Sequence, residues 1–289
     1  MPIIVTGCET GLVLDIGCRE SRCVAIMNGR PLHTTLRVAP LGVIHARNRF
    51  ENELKALYPN CSVFAEPDKL VDMFERFVVC DVVDAISLGD RALVSATDTL
   101  YTWDGQEKIN IPGRIRSSCL SELLWGRQFD GYDASEDELG GLVGLVMKVL
   151  ETCNLDTKVM VSTHVVFCGG GSCIPGLCKK ICSEVNAKGA LDSESSSSSS
   201  PPSVGSVVLN YRDLPFEGSL LTWLGGSIFA SLKSNEEKYT QYAEWEQAVQ
   251  NFEDISRTHT GDKPAIRMPD WMSCNPKDWK FVGPCTKLE

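Results

Sequence analysis

The sequence predicts an α/β protein, and three features carry that prediction. Two apolar strands each run into a glycine turn, a hairpin follows the first of them, and several segments repeat apolar residues at helical spacing. The first strand is Gly11-Leu-Val-Leu-Asp-Ile-Gly17, an apolar run closed by Asp15 and Gly17, as suits a buried strand entering a tight turn. Cys23 to Met27, the Asn28-Gly29 pair and Pro31 to Val38 read as a hairpin, because Asn-Gly accepts the positive φ of a two-residue turn.

From Leu41 to Tyr58 the pattern is helical: Ile44, Phe50, Leu54 and Leu57 share a face, and Tyr58-Pro59-Asn60 ends it. Pro67 to Val78 is a second helix of this kind. Strand signals return between Ala92 and Ile111, with Trp103 to Lys108 as the turn of a second hairpin. Ser117 to Trp125 and Glu138 to Cys153 read as helices. Val165-Val-Phe-Cys168 is a short apolar strand that runs into Gly169-Gly-Gly171, and Pro175 to Val185 continues as helix. Leu191 to Val204 contains six consecutive serines and Pro201-Pro202, a composition that predicts a disordered surface insert. Val207-Val-Leu209 resumes as strand, so the insert over 191–204 interrupts one domain and does not separate two. Leu220 to Leu232 is apolar with a break at Gly225-Gly226-Ser227. Asn235 to Phe252 is a charged helix, and a proline-punctuated tail follows it.

Composition narrows the function classes. With 43% hydrophobic and 23% charged residues over 289 positions, the chain can bury a core and is not disordered as a whole. A formal net charge of −10 opposes nucleic-acid binding and attraction to anionic membranes, so neither is expected as a partner. No run of about 18 apolar residues exists, and Met1 to Leu14 lacks the features of a secretory signal. The 13 cysteines are odd in number, in a chain too large to need disulfide staples, which predicts structural thiols in a reducing compartment. Cys168, Cys173, Cys178 and Cys182 are spaced for a strand, a loop and a helix, not for a zinc knuckle, and no metal site is expected.

The two glycine turns are the candidate site. Asp15 and Gly17 put a carboxylate beside a backbone that can approach a phosphate, and such an Asp can hold a metal through water. Gly169, Gly170, Gly171 and Ser172 let the chain pass close to a base or ribose. Glycines at such turns serve geometry as often as ligands.

In order, Leu14-Asp-Ile-Gly17, the hairpin Tyr101 to Ile109, Phe167-Cys-Gly-Gly-Gly-Ser-Cys-Ile-Pro-Gly176 and Trp223-Leu-Gly-Gly-Ser-Ile-Phe-Ala-Ser-Leu232 resemble the C-terminal half of the actin and actin-related protein family. The resemblance implies an actin-like, ribonuclease H-like fold over residues 1–232. It has a mixed sheet flanked by helices and a smaller helix-rich lobe over about 42–100, with 233–289 as a C-terminal helix and irregular tail. Gly11 to Ser21 and Met268 to Pro276 look most like the actin-related protein 10 (also called 11) branch, found in the pointed-end complex of dynactin.

That branch implies dynactin subunits as partners, dynein indirectly, and a cytoplasmic, cytoskeletal location. The expected role is pointed-end capping of an actin-like filament in microtubule-based transport. An active ATPase or kinase of the same superfamily, and a nuclear actin-related subunit of a chromatin remodeller, are the alternatives.

ATP with Mg is the cofactor the resemblance implies, but the residues depart from an active site. Where conventional actin has a second Asp and Gly, this chain has Cys18 and Arg19, and Ile174 replaces the aromatic after the Gly-Gly loop. Met1 stands almost directly before Asp15-Ile-Gly17, so the first phosphate loop has no counterpart in this sequence. No catalytic residue and no ATP turnover are expected. Residues after Ser227, including Trp245, Trp271 and Trp279, are expected to lack a packing partner. His164 reads as structural, Glu51, Glu53 and Lys55 as a solvated helix face, and Ser195 to Ser200 as linker.

Overall fold

The computed structural model describes residues 2–80, 97–103, 107–126, 140–195 and 208–232. The chain divides into two units, Met1–Asn235 and Glu236–Glu289. The second unit, the helix read over Asn235 to Phe252 and the three tail tryptophans lie outside the described residues. So does the body of the serine insert.

Strands β1 (Gly11–Ile16), β2 (Ser21–Met27), β3 (Arg30–Pro31), β4 (Arg37–Ala39) and β7 (Val165–Cys168) form one mixed sheet in which β2 is antiparallel to β1 and β7 parallel to it. Asn28 and Gly29 both have positive φ, 51° and 72°, which fixes the two-residue turn expected of them. The return strand read over Pro31 to Val38 is broken into β3 and β4 by a 3-10 turn at His33–Thr35. The buried Thr35 hydroxyl causes this break. It accepts the Ala25 amide at 3.1 Å and donates to the Leu32 carbonyl at 2.7 Å, and so replaces ladder bonds with side-chain ones.

One face of the sheet carries Leu12, Leu14, Ile16 and Cys23 into the main core, where α5 (Gly141–Thr152) supplies Leu142, Leu145, Val146 and Val149. That core continues into α1 (Val43–Leu57), through Phe50 and Leu54, and α2 (Pro67–Phe77), through Met73 and Phe74. Phe50 and Phe74 meet edge to face at 5.8 Å. The other face, Val13, Ile26, Val166 and Cys168, is covered by the 3-10 segment Pro2–Thr6 and by α8 (Leu221–Ala230). Helix α8 runs unbroken through Gly225-Gly226-Ser227, contrary to the break read there, because its backbone ladder needs no side chain.

The second hairpin forms as β5 (Thr99–Trp103) and β6 (Glu107–Ile111). The helix read over Ser117 to Trp125 is two helices, α3 (Gly113–Ser118) and α4 (Ser121–Trp125), starting earlier than expected. Asp98 Oδ1 accepts the Gly113 amide at 2.9 Å, so a residue far back in sequence caps α3. The Ser121 hydroxyl turns back to the Ser118 carbonyl at 2.8 Å between the two helices. Helix α6 (Leu155–Ser162) has no counterpart in the sequence reading. Its cap is Asn154, whose side chain accepts the Thr157 amide.

Helix α7 (Leu177–Ser195) extends past Val185 into the first residues of the serine insert, so 191–195 are helical where disorder was expected. Val208-Leu209 is not a strand. Asn186 takes the Leu209 amide on its Oδ1 at 2.8 Å, and Tyr211 forms an isolated bridge to Val165.

Candidate functional site

Strands β1 and β7 lie side by side and parallel, with Asp15 opposite Cys168, so the two glycine turns leave the same end of the sheet next to each other. This is the position, outside the carboxyl ends of parallel strands, where α/β folds place ligands. The structure therefore brings together Asp15, Gly17 and Gly169 to Ser172, as the sequence predicted.

Asp15 is half-buried and its backbone is paired with Arg22 and Cys168 in the sheet, while its carboxylate makes no hydrogen bond or ion pair among the described residues. Gly169, at φ 83°, passes so close to it that a Cβ would overlap the Asp15 carboxylate, and the Ile16 carbonyl stands 2.6 Å from the same point. Burial, with the Asp15 charge as a second cause, pushes the neighbouring Cys168 thiol up to about 12.

The first turn is closed upon itself and upon α1. The Gly17 amide donates to Glu20 at 3.1 Å, while the carbonyls of Gly17 and Cys18 accept the Val43 and Ile44 amides at 3.0 and 2.8 Å. Those two amides are among the open donors at the start of α1, and they are spent on the turn. Gly42 and His45 close the rest of that end, the Gly42 amide donating to His45 Nδ1 at 3.1 Å. Arg19 is exposed at the turn's tip.

The second turn is a 3-10 helix, Gly170–Cys173. Its Ser172 hydroxyl donates to the Gly169 carbonyl at 2.7 Å, so the candidate ligand oxygen serves its own turn. The Gly169 amide donates to Gly218 at 3.1 Å, and the Pro175 carbonyl accepts the Cys80 amide at 2.8 Å. Val43, Gly218 and Cys80 were absent from the sequence reading. Each arrives from a distant segment, and no local spacing marks them.

The space freed by these glycines is taken by protein. A Cβ on Gly171 would run into Ile16 Cγ2 and stand 2.7 Å from Val43 Cγ2, and one on Gly17 would stand 2.6 Å from the Glu20 carbonyl. Ile16 is fully buried at this joint. Gly170 differs: it is exposed and nothing lies within 4 Å of its Cβ position. Ile174, where an aromatic would stack on a base, packs half-buried against the main core.

The His164 carbonyl accepts the Leu12 amide at 2.9 Å, and its imidazole Nδ1 lies 2.9 Å from the Thr163 hydroxyl. Glu53 is half-exposed on α1, where it bonds Arg49 at 2.9 Å and accepts the Ser118 hydroxyl at 3.0 Å. Among the described residues no group of three or more His, Cys, Asp or Glu is placed to hold a metal ion, and no helix is long and apolar enough to cross a membrane.

Residues 79–252, more than half of the chain, match the family model described as Actin. Actin-related protein 4 of Kluyveromyces lactis is 33% identical over 115 residues, 39% of this chain and 19% of its own length. Its counterpart in Candida glabrata is 29% identical over 119 residues, 40% of this chain and 21% of its own. Actin-like protein 8 of Homo sapiens is 21% identical over 253 residues, 85% of this chain and 62% of that protein. In each case the match spans less than two thirds of the relative's length. With β1, its hairpin, the parallel β7 and its glycine turn, and α8 standing in the expected order, and the Actin model spanning β7, its turn and α8 within more than half of the chain, the chain belongs to the actin family.

Proposed function

We propose that this chain is a non-catalytic actin-related subunit that works by binding proteins. Its setting is dynactin, where it ends an actin-like filament at the pointed end and docks the partners that serve dynein-driven transport. The support for a non-catalytic role is how the glycine turns are filled. In a phosphate cradle the backbone N–H groups and the volume beside each glycine face the ligand. Here Ile16 and Val43 occupy the space beside Gly171, the Glu20 carbonyl occupies that beside Gly17, and the first amides of α1 are bonded to the first turn. Phosphoryl transfer needs donors aimed at the transferring group from several sides, and here the Gly17, Val43, Ile44 and Gly169 amides are bonded to carbonyls of the chain instead. The residues do not fit ATP held for hydrolysis.

The dynactin setting rests on Gly11 to Ser21 and Met268 to Pro276. The second reading, a nuclear actin-related subunit of a chromatin remodeller, is favoured by the identity to sequences named Actin-related protein 4.

Affinity purification of the tagged full chain from cells, with mass spectrometry of what accompanies it, tests the setting. Dynactin subunits are expected, and remodeller subunits in their place overturn it. ATP hydrolysis above buffer background that Asp15→Ala abolishes overturns the non-catalytic half.

A further inference from the structure

Of the eleven cysteines among the described residues, seven are buried and two half-buried, as structural thiols should be. The remaining two are Cys18 and Cys173, one on each glycine turn. Cys173 has a second thiol beside it. Cys178, buried on the first turn of α7, donates its S–H to the Ser172 carbonyl at 3.5 Å. Ser172 is bonded directly to Cys173, whose Cα lies about 2.8 Å from that oxygen by peptide geometry. The Cys173 Cα therefore lies at most about 6.3 Å from the Cys178 sulfur, a separation that side-chain rotation and a shift of the turn close to disulfide geometry. The intervening residues already fold back, with Ile174 bonded to Gly171 and Leu177 to Ile174, both at 3.2 Å.

We propose that Cys173 is an oxidation site with Cys178 as its resolving partner, so that a hydroperoxide converts the two thiols into a disulfide that locks the second glycine turn to α7. In the first step the Cys173 thiolate attacks one peroxide oxygen. The O–O bond breaks, the sulfur gains that oxygen as a sulfenic acid, and the other oxygen leaves as water or alcohol with the thiol proton. In the second, the Cys178 sulfur displaces the sulfenic oxygen as water and the S–S bond forms, its own proton leaving in that water. Two electrons pass from the sulfur pair to the peroxide, and both thiol hydrogens end in the released products.

The division of labour follows from exposure. Cys173 meets the oxidant, whereas burial pushes the Cys178 thiol up to about 12 and shields it from direct attack. Cys168 is not the partner, because it packs on the opposite face of the sheet among Val13, Ile26 and Val166. Cys182 lies one helical turn further along α7.

The test is to treat the reduced full chain with hydrogen peroxide, block the remaining thiols by alkylation, and map the tryptic peptide Val159 to Lys179. A loss of two hydrogens with Cys173 and Cys178 unalkylated and Cys168 alkylated is expected. In Cys178→Ala the bridge disappears and dimedone labelling of Cys173 rises above the wild-type level. In Cys173→Ser neither bridge nor label appears at this site. Cys178→Val, which keeps an apolar group at the buried position, repeats the measurement should the alanine variant fail to fold. A bridge between other cysteines, or equal dimedone labelling of Cys173 in wild type and the Cys178 variants, overturns the proposal.

Discussion

Gly171→Ala separates a glycine kept for a ligand from one kept for packing. The added methyl stands 2.7 Å from Val43 Cγ2 and 3.0 Å from Ile16 Cβ, and closer still to Ile16 Cγ2. Both neighbours are held: Ile16 is fully buried on β1, and Val43 is the first residue of α1. Overpacking of this kind costs about 1–3 kcal/mol, which in a unit of this size lowers Tm by between about 2 and 12 °C. The assay is thermal and urea unfolding of the single and double variants. Ile16→Ala alone costs about 2–5 kcal/mol through the cavity it leaves. In the double variant the new methyl enters the volume that Ile16 vacates, so the loss falls short of the sum by about 1–3 kcal/mol. Gly170→Ala is the internal control. With open space at its Cβ position and an ordinary negative φ, it is expected to hold or raise stability by up to about 1 kcal/mol. If Gly171→Ala changes stability by less than about 0.5 kcal/mol, or its effect simply adds to that of Ile16→Ala, the packing account is wrong.

Arg116 ties α3 to the end of α2 and to β5, donating to the Phe77 and Thr97 carbonyls, both at 2.7 Å, and to the Thr99 hydroxyl at 3.0 Å. Arg116→Ala is expected to cost about 2–4 kcal/mol, seen as a lower urea midpoint at unchanged slope. Asn154→Ala removes the cap of α6 and is expected to cost about 1 kcal/mol by the same measurement, with Asn154→Asp retaining most of it. Asp98 is held below its ordinary carboxylate value, first by the Gly113 amide and then by the Asn110 side chain. A lowered folded-state pKa gives stability that is present above the unfolded value of 3.8 and lost as pH falls through the folded one. Thermal melts between pH 6 and 2.5 should therefore show the wild type losing its advantage over Asp98→Asn only below about pH 4, and an advantage constant across that range refutes it.

The parts of the fold legible in sequence are those where local pattern and burial coincide. Leu12, Leu14 and Ile16 are all fully buried, and Phe50 and Leu54 sit on one face of α1 as their spacing indicated. Helix α6 escaped because its apolar residues do not track burial: Leu155, Val159 and Met160 are exposed, so no stripe marks a core-facing side. Val208-Leu209 misled for the opposite reason. Its β-branched, apolar character favours a strand, but the Asn186 side chain captures the Leu209 backbone first. The start of α3 was not local information at all, being set by Asp98. At the site, Asp15, Gly17 and Gly169 to Ser172 were found by motif, whereas Val43, Gly218 and Cys80 enter only through tertiary approach.

That distinction bears directly on function. Where a turn glycine is kept because a Cβ is not tolerated, the sequence does not say what stands in its place. Where a ligand stands there, replacing the glycine removes binding and leaves the fold intact. Where protein stands there, it strains the fold whether or not any ligand exists. At Gly17, Gly169 and Gly171 the neighbours are a main-chain carbonyl, a carboxylate and two apolar side chains of this chain. The two turns thus pack against each other, so a substitution at Gly169 or Gly171 reports on the fold before it reports on any ligand.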